Sequence, residues 1–420
     1  MTYSRPKGTA DIWGKDIAAW RRVEDAIRAL CRAFCIDEIR TPMYEYEELF
    51  RRGIGETTDV VQKEMFTFTD AGGRDYALRP EGTAGVVRAF IENGMSSLSM
   101  PQKLYYIMPV FRAEKPQKGR YRQHHQFGIE YIGAYNPECD AEVISVAREL
   151  LFKLGIEDVE LHINSIGWPE CRAKYNNAFK TFLGKNIDKL CPTCRERFEK
   201  NPLRVLDCKN ESCKALMAGA PTSVDTLDKE CRAHFMGVLA ALEALGIDYI
   251  VDPFLVRGLD YYTRTVFEFK STSLGAQDTV CGGGRYDGLI AECGGQDTAS
   301  VGFGMGIERL LLIMEEKGLI KAQTDETGPV FIGYIGYSGK NAGARLALEL
   351  RRVGIPCEYD IMERGVKAQM KRADKLNAAY SIIIGDDEVE TGRVKIKDMR
   401  TGEAVEKGID DVITYFKENN

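Results

Sequence analysis

The chain has 420 residues, of which 44% are hydrophobic and 29% are charged, and its formal net charge is −6 at pH 7. This length exceeds one ordinary domain, so we expect two or three domains. No run approaches the ~20 apolar residues of a membrane span, and the N-terminal sequence lacks the apolar stretch of a secretory signal. We therefore expect a cytoplasmic protein with no membrane contact, whose twelve cysteines stay largely reduced. The acidic balance does not favour nucleic-acid binding, although a local basic patch would be enough for it.

Residues 1–168 predict the first part of an α+β domain. Between Asp16 and Phe34, apolar residues recur at helical spacing and indicate an amphipathic helix; they are Trp20, Val23, Ile27, Leu30 and Phe34. Strands are predicted at Asp75–Arg79, Lys103–Phe111, His125–Ile132, Val159–Asn164 and, later, Arg264–Lys270. Their β-branched and aromatic residues and tight connections favour a largely antiparallel sheet with helices outside it.

Residues 169–230 interrupt this pattern. They are polar, mostly helical in pattern and rich in Lys, Arg, Asn and Cys, which predicts an inserted module. Residues 231–320 return to strand-like segments, end with a helix at Gly306–Lys317, and precede a polar hinge from Lys321 to Pro329. In residues 329–420, strands alternate with helices, which favours crossover connections and a separate α/β domain with a mainly parallel sheet.

Two segments carry candidate chemistry. Phe111-Arg112-Ala-Glu114 ends a strand, and a basic loop that contains Arg120 leads back to the next strand. The planar donors of arginine suit a polyphosphate, although a solvated charged turn is the alternative interpretation. The second segment, Gly302-Phe-Gly-Met-Gly-Ile-Glu308-Arg309, is a glycine-rich start of a helix, a feature of many folds. The sequence contains no G-x-x-x-x-G-K-[ST], which excludes a P-loop.

Together, these segments resemble motifs 2 and 3 of class II aminoacyl-tRNA synthetases. Motif 1 would lie near Ile36–Pro42, and since it builds the dimer interface of that family, the resemblance implies a homodimer. Two further stretches, Leu255-Val-Arg257-Gly-Leu-Asp-Tyr261-Tyr262 and Cys281-Gly-Gly-Gly-Arg285-Tyr286, are similar to the histidine-specific motifs of histidyl-tRNA synthetases. Arg79-Pro-Glu81-Gly-Thr83 and Gln123-His-His-Gln126-Phe-Gly-Ile-Glu130 also match that family. The resemblance extends over essentially the whole chain and implies a class II synthetase-type antiparallel sheet, an inserted module and an anticodon-binding α/β domain.

The resemblance implies ATP-dependent ligation of L-histidine to tRNA(His) through a histidyl-adenylate, with Mg²⁺ on the phosphates. Catalysis would be positioning and charge stabilisation by Arg257 and Arg112. The implied histidine-binding residues are Glu81, Thr83, Gln126, Glu130, Arg257, Tyr261 and Tyr262; the implied ATP-binding residues are Arg112, Glu114, Arg120 and Arg309. Glu81, Thr83 and Gln126 would hold the α-ammonium of histidine. Glu130 and Tyr262 would bind the two ring nitrogens. Tyr262 could instead be a core aromatic, and Gly282–Gly284 a simple bulge.

Four cysteines of the insertion predict a structural zinc site. Cys191, Cys194, Cys208 and Cys213 form a C-x2-C and a C-x4-C pair, a spacing that suits tetrahedral Zn²⁺. Four ordinary reduced cysteines are the alternative.

The C-terminal domain contains a candidate tRNA contact. Lys367, Lys371 and Lys375 recur every four residues, with Arg364 and Arg372 nearby, and would form a basic stripe on a helix. Such a stripe is either a solvated face or, since the resembled family binds the anticodon with this domain, a tRNA contact.

Two alternative functions are compatible with parts of the pattern. One is the non-catalytic, synthetase-like regulatory subunit of ATP phosphoribosyltransferase, against which Arg257 and Val330–Asn420 argue. The other is a class II synthetase for another amino acid, which the Arg257–Tyr262 and Gly282–Tyr286 stretches disfavour.

Overall fold

A computed structural model of the chain describes residues 2–14, 16–54, 58, 60–117, 119–200, 202–206, 208, 210–256, 259–271, 279–320 and 328–419. The chain divides into two compact units, Met1–Lys321 and Ala322–Asn420. Within the described ranges, no helix has both the length and the apolar character needed to cross a membrane.

The helices and strands of the first unit are numbered in chain order. Its helices are α1 (Asp16–Ala33), α2 (Glu47–Ile54), α3 (Thr83–Glu92), α4 (Pro137–Lys153), α5 (Pro169–Gly184), α6 (Pro192–Lys200), α7 (Glu211–Met217), α8 (Lys229–Ala244), α9 (Leu289–Glu292) and α10 (Ile307–Glu316). Its strands are β1 (Asp37–Glu38), β2 (Tyr44–Tyr46), β3 (Phe66–Thr69), β4 (Asp75–Leu78), β5 (Gln102–Phe111), β6 (Gln123–Ile132), β7 (Val159–Ser165), β8 (Ile250–Val251), β9 (Thr263–Ser271), β10 (Thr279–Arg285) and β11 (Ser300–Gly306).

The large sheet of this unit has eight strands in the order β1-β5-β6-β11-β10-β9-β7-β8. The inner pairs are all antiparallel, and only the short edge strands β1 and β8 pair in parallel. The antiparallel sheet predicted from the sequence is therefore confirmed. Strands β2, β4 and β3 form a separate small antiparallel sheet.

Helices pack on one face of the large sheet. Val23 and Ile27 of α1, Leu150 of α4 and Leu310 of α10 are fully buried in the same core as the sheet residue Phe127. Because alternate residues of a strand point to opposite faces, the intervening positions of β6 and β11 lie on the other face.

The glycine-rich segments lie in strands. Gly302–Gly306 belongs to β11, and the helix starts only at Ile307. Gly282–Gly284 lies in β10 and pairs with β11 on one side. On the other side, the pairing of β10 with β9 shifts its register between Gly284 and Arg285. Glycine has a low strand propensity, but a Cβ at Gly302 would overlap the Glu130 carboxylate, and one at Gly283 would overlap the Gly302 carbonyl. Close packing therefore overrides local propensity here.

The segment between β7 and α8 is helical, as its sequence pattern predicts. Helices α5, α6 and α7 surround a small core of their own, which includes Tyr175, Phe179, Leu183, Cys194 and Cys213.

The second unit is a smaller α/β fold. It contains β12 (Val330–Tyr334), α11 (Gly336–Arg352), β13 (Cys357–Tyr359), α12 (Val366–Lys375), β14 (Tyr380–Ile384), α13 (Asp386–Thr391), β15 (Arg393–Asp398), β16 (Ala404–Gly408) and α14 (Val412–Glu418). Its sheet has the order β13-β12-β14-β15-β16.

The expected mainly parallel sheet is only partly correct. Strands β13, β12 and β14 pair in parallel, but β15 and β16 form an antiparallel hairpin on one side. The sequence does not signal β16, because its residues are mostly exposed and lack an alternating apolar pattern. The turn between the two strands includes Gly402, whose φ of 79° is accessible to glycine.

Candidate functional site

A cavity of about 350 Å³ lies on the large sheet of the first unit. Strand β6 shows how the sequence builds it. Phe127 and Ile129 point into the helix-packed core, whereas Gln126 lines the cavity and Glu130 lies on the same face as Gln126. The alternation of apolar and polar residues along β6 therefore separates the core from the candidate site.

Glu81 and Thr83 line the cavity at the start of α3. The Glu81 carboxylate accepts hydrogen bonds from the backbone amides of Thr83 at 2.6 Å and Ala84 at 2.8 Å. It thereby pairs two of the amides that a helix start leaves unsatisfied. Burial nevertheless raises the pKa of Glu81, outweighing these hydrogen bonds and the nearby charge of Arg112. A carboxylate has about four acceptor positions, so this arrangement leaves room for a cationic ligand.

Glu130 is fully buried directly behind the cavity wall. Its Oε1 accepts hydrogen bonds from the Thr83 hydroxyl at 2.7 Å and the Tyr106 hydroxyl at 3.2 Å, and its Oε2 accepts one from the Tyr286 hydroxyl. Burial raises the pKa of Glu130 to about 8, although the three hydroxyls act in the opposite direction. Thr83 and Tyr286 line the cavity in front of it. The predicted contact of Glu130 with a ligand thus depends on a carboxyl that already has three protein partners.

Two glycines of β11 make space for the side chains of Glu130 and Gln126. A Cβ at Gly302 would overlap Glu130 Oε2, and a Cβ at Gly304 would overlap Gln126 Nε2. Gln126 Oε1 is buried and has no hydrogen-bond partner among the described residues. Because an unpaired buried acceptor is costly, the Gln126 amide favours a ligand with an N–H donor.

Tyr261, Tyr262 and Tyr286 form an aromatic wall of the cavity. The ring centroids of Tyr261 lie 4.7 Å from Tyr262 and 5.6 Å from Tyr286. Each is less than a tenth exposed, and all three belong to a buried cluster. The core interpretation of Tyr262 and the ligand interpretation are therefore compatible, because its ring packs in a core that also borders the cavity.

Arginines line the same cavity. Arg112 donates from Nε to the Pro80 carbonyl at 3.0 Å, and Arg309 donates to the Thr279 carbonyl. Arg120 pairs with Glu114 at 3.0 Å, and both residues line the cavity. Backbone carbonyls thus fix Arg112 and Arg309, whereas Arg120 sits on the hairpin loop between β5 and β6.

His124 and His125 occupy opposite faces of β6. Burial, together with the charge of Arg112, lowers the pKa of the cavity residue His124 to about 3, so it is neutral near pH 7. The His125 backbone amide and Nδ1 both lie 2.9 Å from the Glu308 carboxylate, and its ring packs edge-on against Trp20 at 4.8 Å. Glu308 therefore ties the start of α10 to β6.

Arg285 belongs to a buried network of ion pairs and hydrogen bonds. Its fully buried guanidinium donates to Asp140, to Asp287 at 3.1 Å and to the Ala134 carbonyl at 2.9 Å. Burial would lower the pKa of Arg285, but Asp140 and Asp287 outweigh it and raise that pKa. This network explains an arginine in the glycine-rich motif without a ligand.

The four cysteines predicted to bind zinc converge. The Sγ atoms of Cys191, Cys194, Cys208 and Cys213 all lie within 4.8 Å of one another, and those of Cys191 and Cys208 are 3.8 Å apart. Tetrahedral ligands at a Zn–S distance of ~2.3 Å are about 3.8 Å apart. Backbone amides of Cys191 and Asn210 donate to the sulfurs of Cys213 and Cys208 at 3.3 and 3.4 Å.

The predicted basic stripe lies on α12. Lys367, Lys371 and Lys375 are exposed, whereas Gln369 and Ala373 on the other side of this helix are buried. The second unit therefore presents the three lysines to solvent.

The sequence interpretation missed some residues of the site, and one predicted residue cannot be placed. The sequence pattern does not single out Tyr106, because this residue lies on β5 among the buried residues Leu104 and Met108 and has the pattern of a core aromatic. Tyr286 belongs to a histidine-specific motif, but the motif alone does not indicate its role; its hydroxyl donates to Glu130. Arg257 lies outside the described residues.

Comparison with known proteins gives concordant matches. The histidyl-tRNA synthetase family model matches residues 8–310, and the anticodon binding domain model matches residues 330–419. Histidine–tRNA ligases of Acetivibrio thermocellus and Caldanaerobacter subterraneus are 52% and 53% identical over 417 residues, which cover 99% of this chain and 100% of each relative. The solved apo histidyl-tRNA synthetase of S. aureus is 38% identical with a TM-score of 0.82, over 99% of this chain and 100% of that one.

Proposed function

The chain belongs to the histidyl-tRNA synthetase family, and from this premise we propose that it ligates L-histidine to tRNA(His) with ATP through a histidyl-adenylate. One observation carries the proposal. A single cavity brings together Glu81, Thr83 and Gln126, the aromatic wall and the arginines Arg112 and Arg309. A cationic amino acid group and a polyphosphate would both find complementary groups there. The full-length coverage by histidine–tRNA ligases favours this function over the regulatory-subunit and other-amino-acid alternatives.

The histidine end of the cavity is assigned to the carboxyl and tyrosine residues. Glu81, Thr83 and the unpaired Gln126 carbonyl would accept hydrogen bonds from the α-ammonium. The imidazole would lie toward Tyr262 and Glu130. Because the pKa of Glu130 is raised to about 8, a protonated Glu130 would donate to a neutral imidazole, and an ionised Glu130 would accept from an imidazolium. In either case the pair shares one proton.

The ATP end is assigned to Arg112, Glu114, Arg120 and Arg309. The histidine carboxylate would attack the α-phosphorus and pyrophosphate would leave; the terminal ribose hydroxyl of the tRNA would then take the acyl group and release AMP. Arg112 and Arg309, held by backbone carbonyls, are preorganised to stabilise the charge that develops on phosphate oxygens. Arg257 is assigned the same task from the amino-acid side on the family resemblance alone.

We include Mg²⁺ as the cation of the phosphates. Carboxylates of Glu64 and Glu114 line the cavity beside the arginines, and carboxylate oxygens together with phosphates are the ligands that Mg²⁺ prefers. When bound, Mg²⁺ would neutralise phosphate charge and help to orient the leaving pyrophosphate.

We assign residues 1–168 and 231–320 to the catalytic domain and residues 329–420 to an anticodon-binding domain. The match to anticodon binding domains and the exposed lysines of α12 support tRNA contact by the latter. Clustered lysines supply the phosphate contacts that position a nucleic acid.

We propose that the protein is a homodimer. The sheet β2-β4-β3 exposes Tyr44, Tyr46 and Phe68 to 53%, 56% and 45%, and each stacks or packs edge-on against Tyr76. A contiguous exposed aromatic surface of this kind is typical of an interaction site. A second copy is the expected partner, because β2 closely follows the motif 1 neighbourhood at residues 36–42.

We also propose a structural Zn²⁺ ion in residues 169–230, the insertion module. The sulfurs of Cys191, Cys194, Cys208 and Cys213 all lie within 4.8 Å of one another, and the 3.8 Å between those of Cys191 and Cys208 matches the separation of two ligands on one zinc ion. The small core around them is partly made of cysteines, so bound zinc would supply cohesion that a core of this size lacks.

Exchange of labelled pyrophosphate into ATP tests the central proposal. Exchange should require L-histidine and should not occur with the other amino acids, and the purified protein should then charge tRNA(His). Exchange without histidine dependence would contradict the assigned substrate, and the absence of any exchange would contradict the assigned chemistry.

A further inference from the structure

The insertion module meets the catalytic domain at two adjacent points, which we call the neck. One arm is Trp168–Arg172 at the start of α5, and the other is Asp228–Cys231 at the start of α8. Cys171 Sγ lies 3.4 Å from an Asp228 carboxylate oxygen and 4.0 Å from Cys231 Sγ. Cys171 and Cys231 are buried and pack with Leu227, so the two arms form one compact unit.

The neck holds the segment Asp260–Arg264, which we call the tyrosine segment because it contains Tyr261 and Tyr262. Arg172 donates to the Asp260 carbonyl at 3.1 Å and, with its other terminal nitrogen, to the Tyr262 carbonyl. A planar guanidinium holds its donors in a fixed fork and can bridge two carbonyls in this way, whereas an ammonium is a point charge on a flexible stem and is less well matched to them. Arg172 thus fixes the backbone on both sides of Tyr261.

The other end of the tyrosine segment is anchored to the same neck. The Arg264 guanidinium pairs with Glu230 and stacks on the Trp168 ring at 4.5 Å. Its backbone amide donates to the Gly167 carbonyl at 3.0 Å, and its carbonyl accepts from the Ile166 amide at 2.8 Å. Arg264 also has a φ of 47°, an unfavourable value for a non-glycine residue that persists only where surrounding contacts impose it.

These backbone contacts determine where the aromatic wall lies. The carbonyls of the tyrosine segment are held by the neck, while the rings of Tyr261 and Tyr262 line the cavity. Tyr262 also packs so closely on Gly284 that a Cβ there would lie 2.9 Å from its Cδ1. A shift of the segment would therefore move the wall relative to Glu81 and Glu130, which β6 and the start of α3 hold independently.

We propose that Arg172 is a positioning residue for amino-acid recognition, through which the neck of the insertion module sets the tyrosine wall of the cavity. This inference rests on the proposed function, since it identifies the bound amino acid as the ligand of that wall. Arg172 does not line the cavity; it acts through the backbone of Asp260 and Tyr262.

Steady-state kinetics of pyrophosphate exchange with the full chain tests the role of Arg172. Arg172→Gln should raise the KM for L-histidine about 10-fold to 100-fold, since small misplacements of a binding group have effects of this size. The KM for ATP and kcat should change less than about threefold, because ground-state recognition of one substrate is affected. Arg172→Lys should give an intermediate KM for histidine, since one ammonium replaces only part of the bridge.

A matched control is available in the same module. Arg195 on α6 also donates to two backbone carbonyls, those of Leu190 at 3.0 Å and Asp188 at 2.9 Å, but it holds no residue of the cavity. Arg195→Gln should leave the KM for histidine unchanged. Amide hydrogen exchange of residues 259–264 should be faster in Arg172→Gln than in Arg195→Gln. This comparison measures how firmly Arg172 holds the tyrosine segment, and it does not depend on enzymatic activity.

The outcomes separate this inference from the proposed function. An unchanged KM for histidine in Arg172→Gln, or a fall in kcat alone, overturns the positioning role. Equal rates of amide hydrogen exchange at residues 259–264 in both variants would show that Arg172 does not hold the tyrosine segment. If the parent shows no histidine-dependent activity, the proposed function fails, and the recognition role of Arg172 fails with it; the amide-exchange comparison still decides whether Arg172 holds the tyrosine segment. If Arg172→Gln does not fold, Arg172→Lys supplies the same comparison.

Discussion

Replacing Glu130 with glutamine tests the assignment of a buried, largely protonated carboxyl in the site. The pKa of Glu130 is raised from 4.5 to about 8, mainly by burial. A shift of this size corresponds to about 5 kcal/mol, at 1.36 kcal/mol for each pKa unit. Glutamine keeps the shape of the side chain and one acceptor oxygen but cannot ionise.

The sign of the effect follows from proton binding. Between pH 4.5 and 8 the unfolded chain ionises Glu130, whereas the folded protein keeps the proton. The unfolded state then binds fewer protons, so the contribution of Glu130 to the free energy of unfolding decreases as the pH rises. Below pH 4.5 this contribution is constant, and above pH 8 the full loss of about 5 kcal/mol has occurred.

Glu130→Gln should therefore become more stable relative to the parent as the pH rises. The difference in free energy of unfolding between the two proteins should change by about 1.4 kcal/mol per pH unit from pH 5.5 to 7.5. Urea unfolding at several pH values, followed by tryptophan fluorescence, measures it. The three tryptophans, Trp13, Trp20 and Trp168, all lie in the first unit and report its unfolding.

Comparison with the parent at each pH cancels the titration of the other groups. A stability difference that stays constant from pH 5.5 to 7.5 would refute the raised pKa of Glu130. Glu130→Gln should also lower kcat/KM for histidine at least about 100-fold, because a buried polar site is left with mismatched hydrogen-bond partners. Normal histidine use by this variant would refute the proposed role in imidazole recognition.

Four further predictions concern other parts of the chain. Gly302→Ala should raise the KM for histidine, because the new Cβ overlaps the Glu130 carboxylate. Purified protein should contain about one Zn²⁺ per chain by elemental analysis, and Cys191→Ser should lose it. Arg257→Ala should slow histidyl-adenylate formation about 100-fold or more in pre-steady-state assays, because the family resemblance assigns Arg257 to a developing oxyanion. Lys371→Glu should lower the rate of tRNA charging while pyrophosphate exchange stays unchanged, because the lysine lies on the second unit.

Each of these predictions has a control or a contradicting outcome. Gly219→Ala should be neutral, since no atom lies within 4 Å of the added Cβ. Cys35→Ser, at an exposed cysteine outside the cluster, should retain the metal; zinc retained by Cys191→Ser would argue against the four-cysteine site. Adenylate formation at the parental rate in Arg257→Ala would exclude the assigned role, and unimpaired charging by Lys371→Glu would exclude a tRNA contact at that residue.

Much of the architecture was accessible from the sequence. The periodicity of hydrophobic residues predicts α1 and the antiparallel strands, because an amphipathic helix and a half-buried strand each have a characteristic spacing of apolar residues. The motifs also identified residues that share one cavity although they are far apart in the chain, including Glu81, Arg112, Tyr262 and Arg309. Resemblance, and not periodicity, supplied that grouping and the amino acid substrate.

The limits of local pattern are clearest where neighbours decide the conformation. The glycines of β10 and β11 form strands because side chains of adjacent strands fill the space that a Cβ would need. Strand β16 has no apolar alternation, because it is an exposed edge strand. The spacing of cysteines along the sequence predicts zinc ligands in residues 169–230, but only the fold brings the four sulfurs within 4.8 Å of one another.

The sequence by itself determined which residue types the site contains, because a motif fixes identity and spacing along the chain. Only the tertiary structure decided their surroundings. In the structure, Glu130 lies behind the cavity wall with three hydroxyl partners, and Arg285 lies in a buried ion-pair network. Arg172 donates hydrogen bonds to the tyrosine segment. The reason is physical: burial and hydrogen-bond partners come from residues that are distant in sequence, and these set the charge, the orientation and the role of each side chain.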